Sequence, residues 1–284
     1  MQFGVFSVGD ITPDPNTGRA VSEAERIRIM VTVALKAEEV GLDVFAIGEH
    51  HNPPFVSSSP TTLLAHIAAL TERIILSTAV TLITTNDPVK IAEQAAYYGD
   101  GFFHNNIFWP ADHVKRMVAL YRRRWEHYGH GPADQAIVGL GGHVFMRKNS
   151  QDAVREFRPY FDHAPVYGGG MSLEDYMAQT PMTIGSPQQV IDRTLGFREF
   201  VGDYQRQLFI ADHGGLPLKT VLEQMDILGG EVVPVLRREF AALKPVHVPE
   251  APVHPRVVAA RAEREGATAD ATSHVASAPS GVPA

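Results

Sequence analysis

The sequence predicts an α/β fold of the (β/α)-barrel type, and three observations predict it. Strand-like and helix-like segments alternate along the chain, the pattern of a mostly parallel sheet with helical crossovers. The 284 residues exceed an average domain but suit one barrel, which takes about 250 residues. Hydrophobic residues make up 44% and charged residues 20%, enough apolar material for one large core. Residues 1–244 carry this pattern. Residues 245–284, rich in Pro, Ala and small polar side chains, read as a disordered tail.

Residues 3–8 form the first strand, followed by a polar loop from Asp10 to Gly18. Ser22 and Glu25 make a capping-box pattern, and Ile27, Met30, Val31, Ala34 and Leu35 recur at helical spacing until Gly41. The stretch Gly41-Leu-Asp-Val-Phe-Ala-Ile-Gly-Glu-His-His-Asn52 then reads as a strand buried on both faces. It runs into Glu49, His50 and His51 at its carboxyl end, where parallel α/β proteins bind ligands. A loop over 52–59 carries Pro53, Pro54, Phe55 and a serine run, and Pro60 opens a helix to about Leu70. Residues 74–83, rich in β-branched side chains, make the third strand, and Asp87-Pro88 starts a helix to about Tyr98.

The second half repeats the alternation. Residues 101–108 read as a strand ending in Asn105 and Asn106. Pro110 opens an amphipathic helix with Val114, Met117, Val118, Tyr121 and Trp125 inward. Residues 136–146 form a glycine-containing strand, and a helix from near Ser150 buries Val154, Phe157 and Phe161. A Gly/Tyr/Met segment over 166–180 reads as mobile. Ser186-Pro187-Gln188-Gln189 is another helix start. Residues 205–211 form the last strand, ending in Asp212-His213-Gly214-Gly215, and 217–240 form a closing helical region interrupted at Gly229-Gly230. The pattern gives six strands, two fewer than a full barrel.

Composition excludes several functions. A net charge of −7 argues against nucleic acid, whose binding rests on Lys and Arg neutralising phosphates. The absence of cysteine rules out a disulfide scaffold, thiolate metal sites and a cysteine nucleophile, and fits a reducing compartment. The apolar run at 74–83 is broken by Ser77, Thr78 and Thr81 and falls far short of a membrane span. With no basic, signal-like N-terminal segment, a cytoplasmic location is expected.

Neighbouring strand residues point to opposite faces, so His50 and His51 do not both face one ligand, which disfavours a two-histidine metal site. A single inward histidine beside Glu49 suits a general base or hydrogen-bond donor near neutral pH. The plainer alternative is a polar strand end whose histidine bonds a backbone carbonyl. His104, Asn105, Asn106, Asp212 and His213 also lie at strand ends, as convergence on one rim requires. Gly139 to Gly142 and Gly168 to Gly170 match neither the dinucleotide nor the phosphate-loop pattern. Ser57 to Ser59 lack the G-x-S-x-G context of a nucleophile.

Several segments together resemble the bacterial luciferase-like flavin-dependent monooxygenases. They are residues 41–51, Arg73-Ile-Ile-Leu-Ser-Thr-Ala-Val-Thr-Leu, Asp87-Pro88 and Ala92-Glu93-Gln94. Later come Gly185-Ser186-Pro187-Gln188-Gln189-Val190, Asp212-His213-Gly214-Gly215-Leu216-Pro217 and Glu231-Val-Val-Pro-Val-Leu-Arg237. The resemblance spans most of residues 1–240. It implies a TIM-barrel-like fold with reduced FMN at the carboxyl rim, or a deazaflavin in some branches. It also implies O2 as co-reactant, a small carbonyl-type substrate, a separate flavin reductase and a homodimer. By position, His50 is similar to the family's active-site histidine. Thr78, Ala79 and Val80 match the segment lying against the flavin ring, with a cis peptide expected at Ala79–Val80. Glu49 and Asp212 are expected beside the cofactor.

The chain departs from the family in the middle. Relatives carry a strand ending in a Gly-Arg-Gly-like turn, an insertion and a further strand, whose turns hold the flavin phosphate. Here Asp87-Pro88-Val89-Lys90 resembles the start of the helix after strand three, and Ile91 onward resembles the helix after strand five. Strands four and five are therefore expected to be absent, with the joint near Lys90–Ile91. Two other readings stand beside a flavin monooxygenase: a shortened, catalytically silent relative, and a metal-dependent barrel hydrolase using His50, Asp212 and His213.

Overall fold

Seven parallel strands, flanked by nine helices, make up the fold among the described residues of the computed structural model, which are 1–79, 88–104, 106–164 and 170–251. The strands are β1 (Gln2–Ser7), β2 (Val44–Ile47), β3 (Ile75–Thr78), β4 (Phe102–His104), β5 (Val138–Met146), β6 (Thr183–Gly185) and β7 (Arg206–Ile210). The helices are α1 (Glu23–Glu39), α2 (Pro60–Ala68), α3 (Pro88–Tyr98), α4 (Ala111–His127), α5 (Ser150–His163), α6 (Leu173–Gln179), α7 (Pro187–Val201), α8 (Leu218–Ile227) and α9 (Val233–Leu243). The hydrogen-bonded order is β3-β2-β1-β7-β5-β4, and β6 pairs with the far end of β5.

Alternation along the central strands sorts the core into two layers. Phe6, Val44, Ala46, Leu208 and Ile210 meet Ile107 on the inner face. Phe3, Val5, Phe45, Ile47 and Phe209 face outward against Met30, Val33, Ala34 and Ala37 of α1 and the other helices. Burial of both faces is why these strands read as nearly continuous apolar runs. The helix starts follow the sequence signals. Ser22 Oγ accepts from the Glu25 N–H, and Ser186 with Gln189 completes a reciprocal capping box.

The six expected strands are β1 to β5 and β7; β6, with three residues, was too short to show a period. Among the described residues β3 and β4 end the order and do not pair with each other. The expected strand over 101–108 is shorter: β4 ends at His104, and Asn106–Phe108 form a 3-10 turn. The turn lets Asn106 Oδ1 accept the Gly141 N–H at 2.6 Å, a bond that a continuing strand does not offer. The segment expected to be mobile contains α6, capped by Ser172 and anchored by buried Leu173 and Tyr176. Seven residues with two anchors carry too little periodicity to be read. The interruption at Gly229-Gly230 is a π-helical turn that joins α8 to α9 without a break.

The packed chain also runs past 244. Val248 and Ala251 are buried, and His247 Nε2 lies 2.6 Å from Asp134 Oδ2. Residues 245–251 are thus docked by two apolar side chains and the His247–Asp134 contact. Residues 252–284 lie outside the described residues, as do Asn105, Val80 and the Ala79–Val80 peptide.

Gly4 sits at the centre of this order, opposite Val44. A Cβ there would fall 2.2 Å from the Val44 carbonyl oxygen, a backbone atom that cannot swing aside. Gly4→Ala is expected to lower unfolding free energy by roughly 1–3 kcal/mol, the range of overpacked cores. An unchanged urea midpoint would contradict the close approach.

Candidate functional site

β2 delivers His50 to the inner rim. The parity of Val44, Ala46 and Gly48 carries one residue further, so His50 turns inward. His51 is exposed, its Nε2 lying 2.6 Å from Glu49 Oε1. The two histidines thus divide between a half-buried ring and an exposed one. The His50 ring stacks on Phe55 with centroids 4.2 Å apart and planes at 25°. It also lies against the Gly48 backbone: a Cβ on Gly48 would be 3.1 Å from His50 Cε1 and 3.3 Å from the Ala79 carbonyl oxygen. His50 Nδ1 is buried and has no hydrogen-bond partner among the described residues. Burial lowers the imidazole's pKa, partly offset by a backbone hydrogen bond near Gly48 and by the Asp10 charge. His50 is therefore neutral at pH 7.

Thr78 and Ala79 lie beside it at the end of β3. Thr78 pairs with Ile47, the Ala79 N–H donates to the Ile47 carbonyl at 2.9 Å, and Ala79 packs on the inner apolar cluster. The loop after β2 is held by backbone. Ile11 N–H donates to the Pro54 carbonyl, Val56 N–H to the Gly9 carbonyl, each at 3.0 Å, and His50 N–H to the Ser57 carbonyl at 3.2 Å. Ser57 Oγ lies 2.6 Å from the Gly48 carbonyl and 3.1 Å from that of Val8, tying the ends of β1 and β2 together.

Asp212 does not face this rim. It is 2% exposed, and its Oδ2 accepts from Ser7 Oγ at 2.5 Å and from an Arg26 guanidinium nitrogen at 2.8 Å. The same guanidinium donates to the Asp212 carbonyl at 3.1 Å. Burial pushes the Asp212 carboxyl up, while Arg26 and Ser7 hold it down. Asp212, expected beside a cofactor, has its carboxylate committed to a buried ion pair with Arg26. The next residue, His213, is also buried, its Nε2 3.2 Å from the Val144 carbonyl and its ring 5.3 Å from that of His143. Burial lowers His213 and His104 to about 4, and lowers His143 well below its ordinary value. No group of three His, Cys, Asp or Glu side chains with metal-holding geometry is found among the described residues. His50, Asp212 and His213 are not gathered into one ligand set, which removes the basis of the hydrolase reading.

Asp10, Arg26, Ser7, Phe55 and His143 were not singled out from sequence. Asp10 Oδ1 accepts the Thr12 N–H at 3.1 Å, and its carboxylate covers Gly214 so closely that a Cβ there would fall 1.5 Å from Oδ1. Arg26 had a readable signal. It precedes Met30, Val33 and Ala37 on the apolar face of α1, and a guanidinium on a core stripe needs a carboxylate partner. Asp10, Arg26 and His213 also line a cavity of about 550 Å³ between the loops after β1 and β7, with Ile29 and Leu216.

The sequence model of the luciferase-like monooxygenase family matches residues 1–97 and 92–204. A luciferase-like monooxygenase of Escherichia coli K12 is 27% identical over 189 residues, 64% of this chain and 53% of the relative. The chain thus spans about half the length of the curated relatives it matches. Among solved structures, monooxygenase RslO1 from Streptomyces bottropensis superposes with a TM-score of 0.68 at 16% identity, covering 83% of this chain and 99% of that one. The oxygenating constituent of 3,6-diketocamphane monooxygenase from Pseudomonas putida, solved in complex with FMN, gives 0.63 at 15%, covering 82% and 98%. These two likenesses concern the fold.

Two outcomes follow from the buried groups. Arg26→Ala strands the Asp212 carboxylate and is expected to cost about 3–5 kcal/mol, whereas Arg26→Met with Asp212→Leu recovers most of it. Equal losses in the single and double variants, by urea unfolding, would remove the ion pair from this account. His104 and His213 are neutral when folded but take up protons at about 6.5 when unfolded. Stability is therefore present above pH 6.5 and falls as pH drops toward 4. Each contributes a slope of about 1.4 kcal/mol per pH unit at most. Unfolding measured from pH 7.5 to 4.5, above most carboxylate titrations, should show this loss; a flat profile would refute it.

Proposed function

The chain belongs to the luciferase-like monooxygenase family, and we propose that it is an FMN-dependent monooxygenase using O2 and a small carbonyl-type substrate. The observation that carries the reading is His50, a half-buried imidazole stacked on Phe55 just past the carboxyl end of β2. Beside it, Gly48 and Ala79 present backbone and a single methyl, a low floor that fits a flat ring. A bound reduced flavin supplies two electrons, one oxygen atom going to the substrate and the other leaving as water. His50 would accept or donate the proton at this site, a role that an imidazole titrating near neutrality can fill. Thr78, Ala79 and Val80 support the ring, and Glu49 orients His51 at the outer edge.

The glycines of β5 lie within a strand, not between strand and helix, so they offer no nicotinamide site. Reduced flavin then comes from a separate reductase, and FMN is proposed over a deazaflavin. A cytoplasmic homodimer completes the reading. The phosphate half of the cofactor fits less well. No Gly-Arg-Gly turn stands at the Lys90–Ile91 joint, and the two family matches meet at 92–97, which supports a missing middle. The same observation favours a second reading, a silent relative that binds flavin without turnover.

Titration with oxidised and reduced FMN and with riboflavin separates these. Reduced FMN is expected to bind in the tens of micromolar range, about −6 kcal/mol. Riboflavin should bind within roughly threefold of FMN, because the phosphate gains little. Oxygen uptake with reduced FMN and an aldehyde supports the monooxygenase; binding without uptake supports the silent relative. No binding of any flavin at these concentrations sinks both.

A further inference from the structure

We propose that Phe55 is a positioning residue for His50, its ring face setting the plane of the imidazole on the inner rim. The proposal rests on the reading of His50 as the proton-handling group. His50 is held from two sides. Phe55 stacks on it at 4.2 Å and 25°, and the Gly48 backbone lies on another side, where a Cβ would be 3.1 Å from His50 Cε1. Without the stacked ring, the histidine keeps its backbone position but loses a wall that selects its side-chain orientation. The Gly48 backbone gives the imidazole one polar contact, and the stacked ring supplies the wall that sets its plane.

Phe55 is itself well fixed for a loop residue. It bridges Asp10 in a short antiparallel contact, flanked by the Pro54 and Val56 backbone bonds to Ile11 and Gly9. Ser57 then bonds the Gly48 carbonyl at 2.6 Å. The loop thus ties one ring to two strand ends and presents it to a third residue. Charged or titratable groups acting on His50 are Asp10 from the loop after β1 and His51 from its own strand end. Substituting Phe55 removes neither.

The test uses Phe55→Tyr, Phe55→Leu and Phe55→Ala in the full chain. Phe55→Leu keeps an apolar cover but no flat face, so it separates stacking from burial. Proton NMR of the His50 ring reads its place through upfield ring-current shifts and through cross-peaks to Gly48. Phe55→Tyr is expected to keep both. Phe55→Leu and Phe55→Ala should lose the upfield shift and weaken the cross-peaks severalfold, with the His104, His143 and His213 signals unchanged as a control on folding. In Phe55→Ala the His50 titration should also rise toward the ordinary histidine value as water reaches the ring. If His50 turns over with flavin, kcat should fall at least tenfold in Phe55→Leu with KM little changed, and Phe55→Tyr should restore it. Cross-peaks that persist in Phe55→Leu and Phe55→Ala would overturn the proposal. The NMR measurements need no flavin, so loss of the monooxygenase reading leaves them decisive.

Discussion

The buried pair between Arg26 and Asp212 is the contact on which the rim depends. It joins α1 to the end of β7, and through Ser7 Oγ it takes in the end of β1. β1 lies between β2 and β7 in the hydrogen-bonded order, so one cluster fixes the centre of the carboxyl edge. Replacing such a pair by apolar side chains can be neutral, while breaking it leaves a desolvated charge. Its value here is geometric. With Asp212 drawn toward α1, Gly214 passes beneath Asp10, and the loops after β1 and β7 come to share one surface. The loop after β2 docks on the same β1 segment through Gly9 and Ile11, and so inherits its position from that cluster.

Electrostatics at this edge follow from burial. His104, His143 and His213 all lose the charged form to desolvation, and His50 shifts the same way while half-buried. Asp10 adds negative charge acting on His50 from the loop after β1.

Much of this was legible in the sequence, and the rest was hidden for identifiable reasons. The central strands showed because burial on both faces makes long apolar runs, and α1 and α7 showed through their caps. The inward turn of His50 followed from strand parity alone. α6 and β6 were hidden because their seven and three residues are too few to repeat a pattern. Asp212 misled because position at a strand end does not reveal direction. Only Arg26, 186 residues away in sequence on α1 but adjacent in space, decides where that carboxylate points. Phe55 was hidden for a related reason: a loop aromatic has no period, and its partner is chosen by backbone bonds to another loop.

The middle of the chain poses the remaining physical question, how a sheet ends where related barrels close. Among the described residues the order stops at β3 and β4, which have four and three residues. Very short edge strands expose few unpaired backbone groups and so limit the pairing that makes open edges prone to association. β4 shortens further because the chain leaves it through the turn at Asn106–Phe108, where Asn106 bonds Gly141 and Ile107 plugs the inner cluster. The inner face is thus filled by a side chain from that turn, in place of reliance on strand closure alone.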